Sequence, residues 1–133
     1  MIFFLSLALT YVSFCIIYVI MSKGKFLAEF ELYLMLALSR LGDSAYGVSI
    51  RQEIEQRTGR PVSIGAVYET LARLGDKGLV TFHISDPVPV PGGRSRKYFR
   101  LTAKGEQALR HSAAMMFRMM DGLDLVPGSE GGR

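Results

Sequence analysis

The side chains best equipped for chemistry in this chain are cationic and close together. Arg94, Arg96, Lys97, Arg100 and Lys104 fall between Pro87 and Gly105, with no acidic residue among them. Guanidinium and ammonium groups at that density suit phosphate oxygens, which accept charge-assisted hydrogen bonds from them. Just upstream lies Ser63–Val80, SIGAVYETLARLGDKGLV. Ser63 is a suitable helix N-cap, and Ile64, Val67, Leu71 and Leu74 follow as one apolar stripe. The opposite side carries Gly65, Ala66, Tyr68, Glu69, Ala72, Arg73 and Asp76. Small residues at the N-terminal end let the backbone come close to another body. A helix able to enter a groove, beside a cationic turn, has the makings of duplex DNA recognition.

Other chemistries find little support. No nucleophile–base pair, phosphate loop or metal-ligand constellation is visible, so no enzyme, cofactor or metal is expected. His83 and His111 lack a cysteine or carboxylate cluster at ligand spacing and read as ordinary histidines. Cys15 is the only cysteine, which rules out an intramolecular disulfide and suits a reducing compartment. A net charge of +4 on 133 residues fits nucleic acid or an anionic membrane surface without choosing between them.

The elements that must position these side chains follow from periodicity and punctuation. Phe26–Leu41 predicts a helix stopped by Gly42, with Phe26, Phe30, Leu34, Ala37 and Leu41 on one face. Its apolar surface is wider than one core contact needs, which suits either contact with a partner chain or a central position in a monomer. Asp43-Ser44 is expected to cap a second helix, about Ala45–Arg57, with Glu53 and Arg57 as an i,i+4 pair. The third helix starts after Ser63 and closes at Gly78. Leu79–Ser85 and Arg96–Leu101 predict two strands around a loop of three prolines and two glycines. Val80, Phe82 and Ile84 alternate with polar neighbours, and Tyr98 and Phe99 point to opposite faces. Thr102 is expected to cap a last helix, about Ala103–Gly122, holding four of the seven methionines. The tail 124–133 reads as disordered.

Met1–Ser22 has no charged side chain and is apolar all round a helix. Some twenty residues of helix cover about 30 Å, the thickness of a bilayer core. Three readings stand: a misplaced start with the true one at Met21, a transmembrane anchor, or a signal peptide. The last lacks a basic leading region and a convincing cleavage site. The first is preferred, because composition changes abruptly at Met21-Ser22-Lys23-Gly24-Lys25. In an anchor, Lys23 and Lys25 place the rest of the chain in the cytoplasm.

The residues Leu41–Gly47 (LGDSAYG), Ser63–Tyr68 (SIGAVY) with Leu71, Leu74, Gly78, Leu79 and Val80, then Gly92-Gly93-Arg94 and Lys97–Thr102 with Gly105, closely resemble the PadR-like transcriptional regulators. The resemblance covers about Lys23–Leu109 and matches the short branch with a single C-terminal helix. It implies a mainly α fold with a two-stranded β wing: a winged helix–turn–helix over 23–102 and a dimerisation helix over 103–123. It further implies a homodimeric repressor on a pseudo-palindromic operator, acting in the cytoplasm on the nucleoid, with a small aromatic or drug-like effector near the dimer contact. Gly75 departs from the family pattern, which usually has a charged helix former there, at a cost of up to about 1 kcal/mol of helix propensity. The segment before Met21 is also foreign to it.

On this reading Ser63, Gly65, Ala66, Tyr68, Glu69 and Arg73 face the major groove. Arg73 suits a phosphate better than a guanine, and Glu69 either accepts from a cytosine amine or, the preferred reading, pairs with Arg73 one turn on. Arg94, Arg96, Lys97 and Tyr98 belong to the wing, with Arg94 at its tip. Alone, this charge run reads as a solvated loop; the neighbouring helix changes that. Phe30, Leu34, Met115, Met116, Phe117, Met119 and Met120 are the candidates for the dimer contact and for a hydrophobic effector, plain dimer core being the alternative. The competing class is a membrane-anchored winged-helix regulator or sensor using residues 1–21. A winged helix used only for protein contacts leaves the basic wing unexplained.

Overall fold

The computed structural model describes residues 27–87 and 94–125. The apolar segment 1–22, the wing loop 88–93 with Gly92 and Gly93, and the tail from 126 lie outside them. The described residues form four helices and one hairpin, in order: α1 (Glu29–Leu41), a 3-10 turn (Gly42–Ser44), α2 (Gly47–Thr58), α3 (Ile64–Asp76), β1 (Val80–Ile84), β2 (Lys97–Leu101) and α4 (Ala103–Met120). The strands pair antiparallel, with Val80 opposite Leu101, Phe82 opposite Phe99 and Ile84 opposite Lys97. Among the described residues no helix is long and apolar enough to cross a membrane.

The broad apolar surface of α1 is used largely within the chain. Leu32, Leu34, Met35, Ala37 and Leu38 are all buried, and α1 touches α2, α3, α4 and β2. It is the central helix. Ile50 and Ile54 of α2, Val67, Leu71 and Leu74 of α3, and Val80, Phe99 and Leu109 complete the core around it. At the exposed edge of α1 the Tyr33 hydroxyl donates to Glu29 Oε1 at 2.8 Å; that bond, with the carboxylate charge, holds its pKa above the ordinary tyrosine value.

Local capping explains most helix ends. Ser63 Oγ accepts from the Ala66 N–H at 3.1 Å, and Thr102 Oγ1 accepts from the Gly105 N–H at 3.0 Å. Gly78, at φ 72°, ends α3: its N–H donates to Gly75 O and the Leu79 N–H donates to Leu74 O, each at 2.9 Å. Glu53 and Arg57 pair as expected.

The start of α2 differs from expectation. Asp43-Ser44 does not cap it; these residues lie in the 3-10 turn, where the Ser44 hydroxyl donates to Leu41 O at 2.7 Å. Ala45 and Tyr46 are extended instead, the Phe99 N–H donates to Ala45 O at 2.8 Å, and Tyr46 forms an antiparallel bridge with Tyr98. Pairing with the wing overrides the local cap. The helix then begins at Gly47, with the Tyr46 N–H donating to Ser49 Oγ at 2.9 Å.

The wing also departs from simple alternation. Val80 is buried, but Phe82 and Ile84 on the same face are 52% and 65% exposed. β2 lies between β1 and the Tyr46 segment, so Phe82 on the edge strand looks onto an open cleft beside α3 although Phe99 opposite it is buried. Tyr98 and Phe99 do point to opposite faces, and Phe99 is the buried one.

Candidate nucleic-acid interface

The helix α3 turns Val67, Thr70, Leu71 and Leu74 inward and leaves Gly65, Tyr68, Glu69, Ala72, Arg73 and Asp76 exposed. Its capped N-terminal turn is open. Gly65 meets no intramolecular requirement: a β-carbon there would have nothing within 4 Å, and its φ is not positive. Within the chain this glycine only weakens the helix, so its value lies in what approaches from outside.

Tyr68 is more constrained than a free recognition side chain. It is half exposed, yet its ring lies against the start of α2 and 6.4 Å from the Phe99 ring centroid. A β-carbon on Gly47 would lie 2.4 Å from the Tyr68 hydroxyl oxygen. The absent side chain of Gly47 is therefore what admits the ring. Sequence reasoning gave Gly47 no role; nothing local to Tyr46-Gly47 signals a contact with a residue on another helix.

Arg73 is not paired with Glu69. Its Nη2 donates to Thr70 Oγ1 at 3.2 Å, one turn back along α3, and Thr70 is buried beside it. The neighbour at i−3 offers a fixed acceptor, whereas pairing two exposed long side chains gains little. Glu69 stays exposed on the outer face.

The wing cations diverge. Arg96 lays its guanidinium 4.6 Å from the Tyr46 ring centroid, on the side where Tyr46 and Tyr98 meet edge-on at 5.8 Å. Tyr98 in turn stacks on His83 at 5.5 Å, so it organises the wing as well as offering surface. Lys97 points the other way, its Nζ 3.6 Å from the Phe82 ring centroid. It sits in a cleft of about 490 Å³ between α3 and the sheet, floored by Ala72 and Gly75 and walled by Tyr68, Phe82 and Phe99. Such cation–π contacts contribute about 0.5–1 kcal/mol at exposed sites and leave the charge available to an anion. Arg94 is exposed at the described edge of the wing loop. Lys97 thus borders the C-terminal half of α3, Arg96 the start of α2, and Arg94 stands exposed at the end of β2's approach.

The family of PadR-like transcriptional regulators matches this chain over residues 35–111. The chain belongs to that family. Among solved structures it resembles a PadR-like transcription factor from Bacteroides fragilis, at 28% identity over 77% of this chain and 90% of that one, with a TM-score of 0.58. A PadR family transcription regulator from Clostridium difficile R20291 matches at 26% identity over 67% of this chain and 88% of its own, TM-score 0.53. The H. salinarum RosR structure shares the fold, with a TM-score of 0.60 at 24% identity over 74% and 82% of the two chains. No curated protein matches. As a PadR-like protein the chain is a DNA-binding transcriptional regulator, and the family is one of regulators rather than enzymes.

Proposed function

We infer that this PadR-like chain works as a homodimeric repressor in the cytoplasm, on the nucleoid, binding a pseudo-palindromic operator. The N-terminal turn of α3 enters the major groove, with Ser63, Gly65 and Ala66 nearest the bases. Tyr68 supports that turn and presents its exposed edge. Arg73, Arg94, Arg96 and Lys97 meet phosphate. The observation that carries this reading is Gly65, an exposed helical glycine with no use inside the chain, in the first turn of α3.

The dimer reading rests on α4. Beyond Leu109 the helix leaves the core, and Met116, Phe117 and Met119 are 49%, 67% and 79% exposed. Met115 and Met120 are half-buried. An unpartnered stripe of flexible thioethers suits a second copy of the same helix, and its adaptability suits a planar hydrophobic effector at that contact. Phe30 is only partly buried, packed against the core, whereas Leu34 is fully buried within the chain and is not available to a partner. Two such modules present their α3 helices about 34 Å apart, one turn of DNA. Selecting bound fragments from the source genome, with sedimentation of the protein alone, tests the proposal: a single enriched inverted repeat and a dimer are expected, and a monomer or unselective binding contradicts it. The membrane-anchored alternative rests on residues 1–21, outside the described residues, and no observation on the described ones favours it.

A further inference from the structure

The C-terminal end of α3 is tied to the rest of the molecule by groups that DNA contact does not use. Glu31 of α1 is buried, its side chain 6% exposed. It accepts from Lys77 Nζ through both oxygens, at 2.9 and 3.2 Å. It also accepts from the Ala28 N–H at 3.2 Å, so one carboxylate caps α1 and grips the residue that ends α3. From the other side α4 takes hold of the same connection. Lys104 Nζ donates to Lys77 O at 3.1 Å, Thr102 Oγ1 donates to Gly78 O at 2.7 Å, and the Thr102 N–H donates to Leu79 O at 3.0 Å. Gly105 permits this approach: a β-carbon there would stand 2.0 Å from Leu79 O.

We propose that Glu31 and Lys77 form a positioning latch that fixes the angle of the recognition helix to the central helix α1, and through it to the dimer helix α4, and so sets which half-site spacing the protein accepts. Glu31 is the only buried acidic side chain among the described residues, and its partner lies 46 positions away. Taking such a pair out of water adds little net stability, because desolvation offsets most of the attraction. Its geometric consequence is larger. Both carboxylate oxygens are engaged, so a turn of α3 that carries Lys77 away leaves the buried carboxylate with the Ala28 N–H alone. An angular error matters to a dimer on DNA: each inserted base pair rotates one half-site by about 34–36° and moves it about 3.4 Å. The inference rests on the dimer reading above.

The test uses the full chain and operators whose half-site spacing is shortened or lengthened by one and two base pairs, with a single half-site duplex as reference. Glu31→Gln removes the charge but can still accept from Ala28, and Lys77, one-third exposed, can turn to water. The double variant Glu31→Gln/Lys77→Met guards against an unpaired ammonium. The latch predicts that wild type prefers one spacing by at least about tenfold, one mismatched position's worth of binding energy. In Glu31→Gln and the double variant that preference falls to within about twofold, half-site affinity is unchanged, and sedimentation still shows a dimer. Lys77→Arg, which keeps the ion pair, retains the preference. Variants that keep the wild-type preference, or that lose half-site and operator affinity alike, overturn the latch alone. A wild type that is monomeric or indifferent to spacing overturns the dimer reading and the latch with it.

Discussion

The hydroxyl of Tyr68 stands over the backbone of Gly47, where a β-carbon would lie 2.4 Å from its oxygen. Through this contact α3 rests on the start of α2, and through Phe99, 6.4 Å away ring to ring, on the wing. Tyr68 is thus seated by the absent side chain of the residue that starts the preceding helix.

Gly47→Ala should displace the ring without unfolding the protein. The obstacle is the far end of a half-exposed side chain, and alanine favours the first turn of α2 by up to about 1 kcal/mol. Thermal unfolding should shift by only a few degrees while operator affinity drops about tenfold. Equal stability with undiminished binding would show that the position of Tyr68 is immaterial to DNA.

Gly65→Ala and Gly75→Ala form a matched pair. A β-carbon at Gly65 meets nothing, and one at Gly75 meets only Val80 O at an ordinary 3.8 Å. Each should stabilise the fold by up to about 1 kcal/mol in urea unfolding. Only Gly65→Ala should lower the ratio of operator to random-duplex affinity.

Gly105→Ala is the opposite case. Its β-carbon would strike a backbone oxygen that is itself hydrogen bonded to Thr102. Neither side can yield cheaply, and a loss of about 1–3 kcal/mol, typical of overpacking, is expected in chemical denaturation.

Arg94→Ala and Arg96→Ala should weaken operator and random duplex about equally, each flattening the slope of log affinity against log salt by about 0.9. Arg96→Ala also removes the cation from the Tyr46 ring, so its wing should lose slightly more order than that of Arg94→Ala.

Phe117→Asp with Met119→Asp places two charges on the exposed apolar stripe of α4. Sedimentation should show a monomer with near wild-type helix content, because neither side chain belongs to the core. A surviving dimer would place the subunit contact elsewhere.

Much of this fold can be read from residue spacing, and the parts that can are local. The Ser63 and Thr102 caps, the Val67–Leu71–Leu74 stripe, the Glu53–Arg57 pair and the Gly78 terminus each involve residues a few positions apart, where periodicity and capping chemistry are decisive. What escapes is tertiary. Tyr46 leaves its expected helix because β2 offers it a partner 52 positions on. Phe82 and Ile84 alternate correctly but lie on the edge strand, which leaves them exposed. Arg73 chooses Thr70 over Glu69 because Thr70 is buried and fixed. Glu31 looks like one more charge at a helix start until Lys77 is brought beside it. In the proposed interface, the small residue Gly65 and the basic run could be picked out by residue type alone; the seating of Tyr68 on Gly47 and the turn of Lys97 into the cleft could not.

The central claim is that the open end of α3 selects sequence while the cations supply affinity. The direct measurement is binding of wild type and Gly65→Ala to the genome-selected operator and to random duplex of equal length across a salt series. The account predicts a linear fall of log affinity with log salt on both DNAs for wild type, and an operator preference of at least about a thousandfold. It predicts that Gly65→Ala keeps the salt slope and loses a large part of that preference. Salt-insensitive binding, or a preference that Gly65→Ala leaves intact, would contradict it.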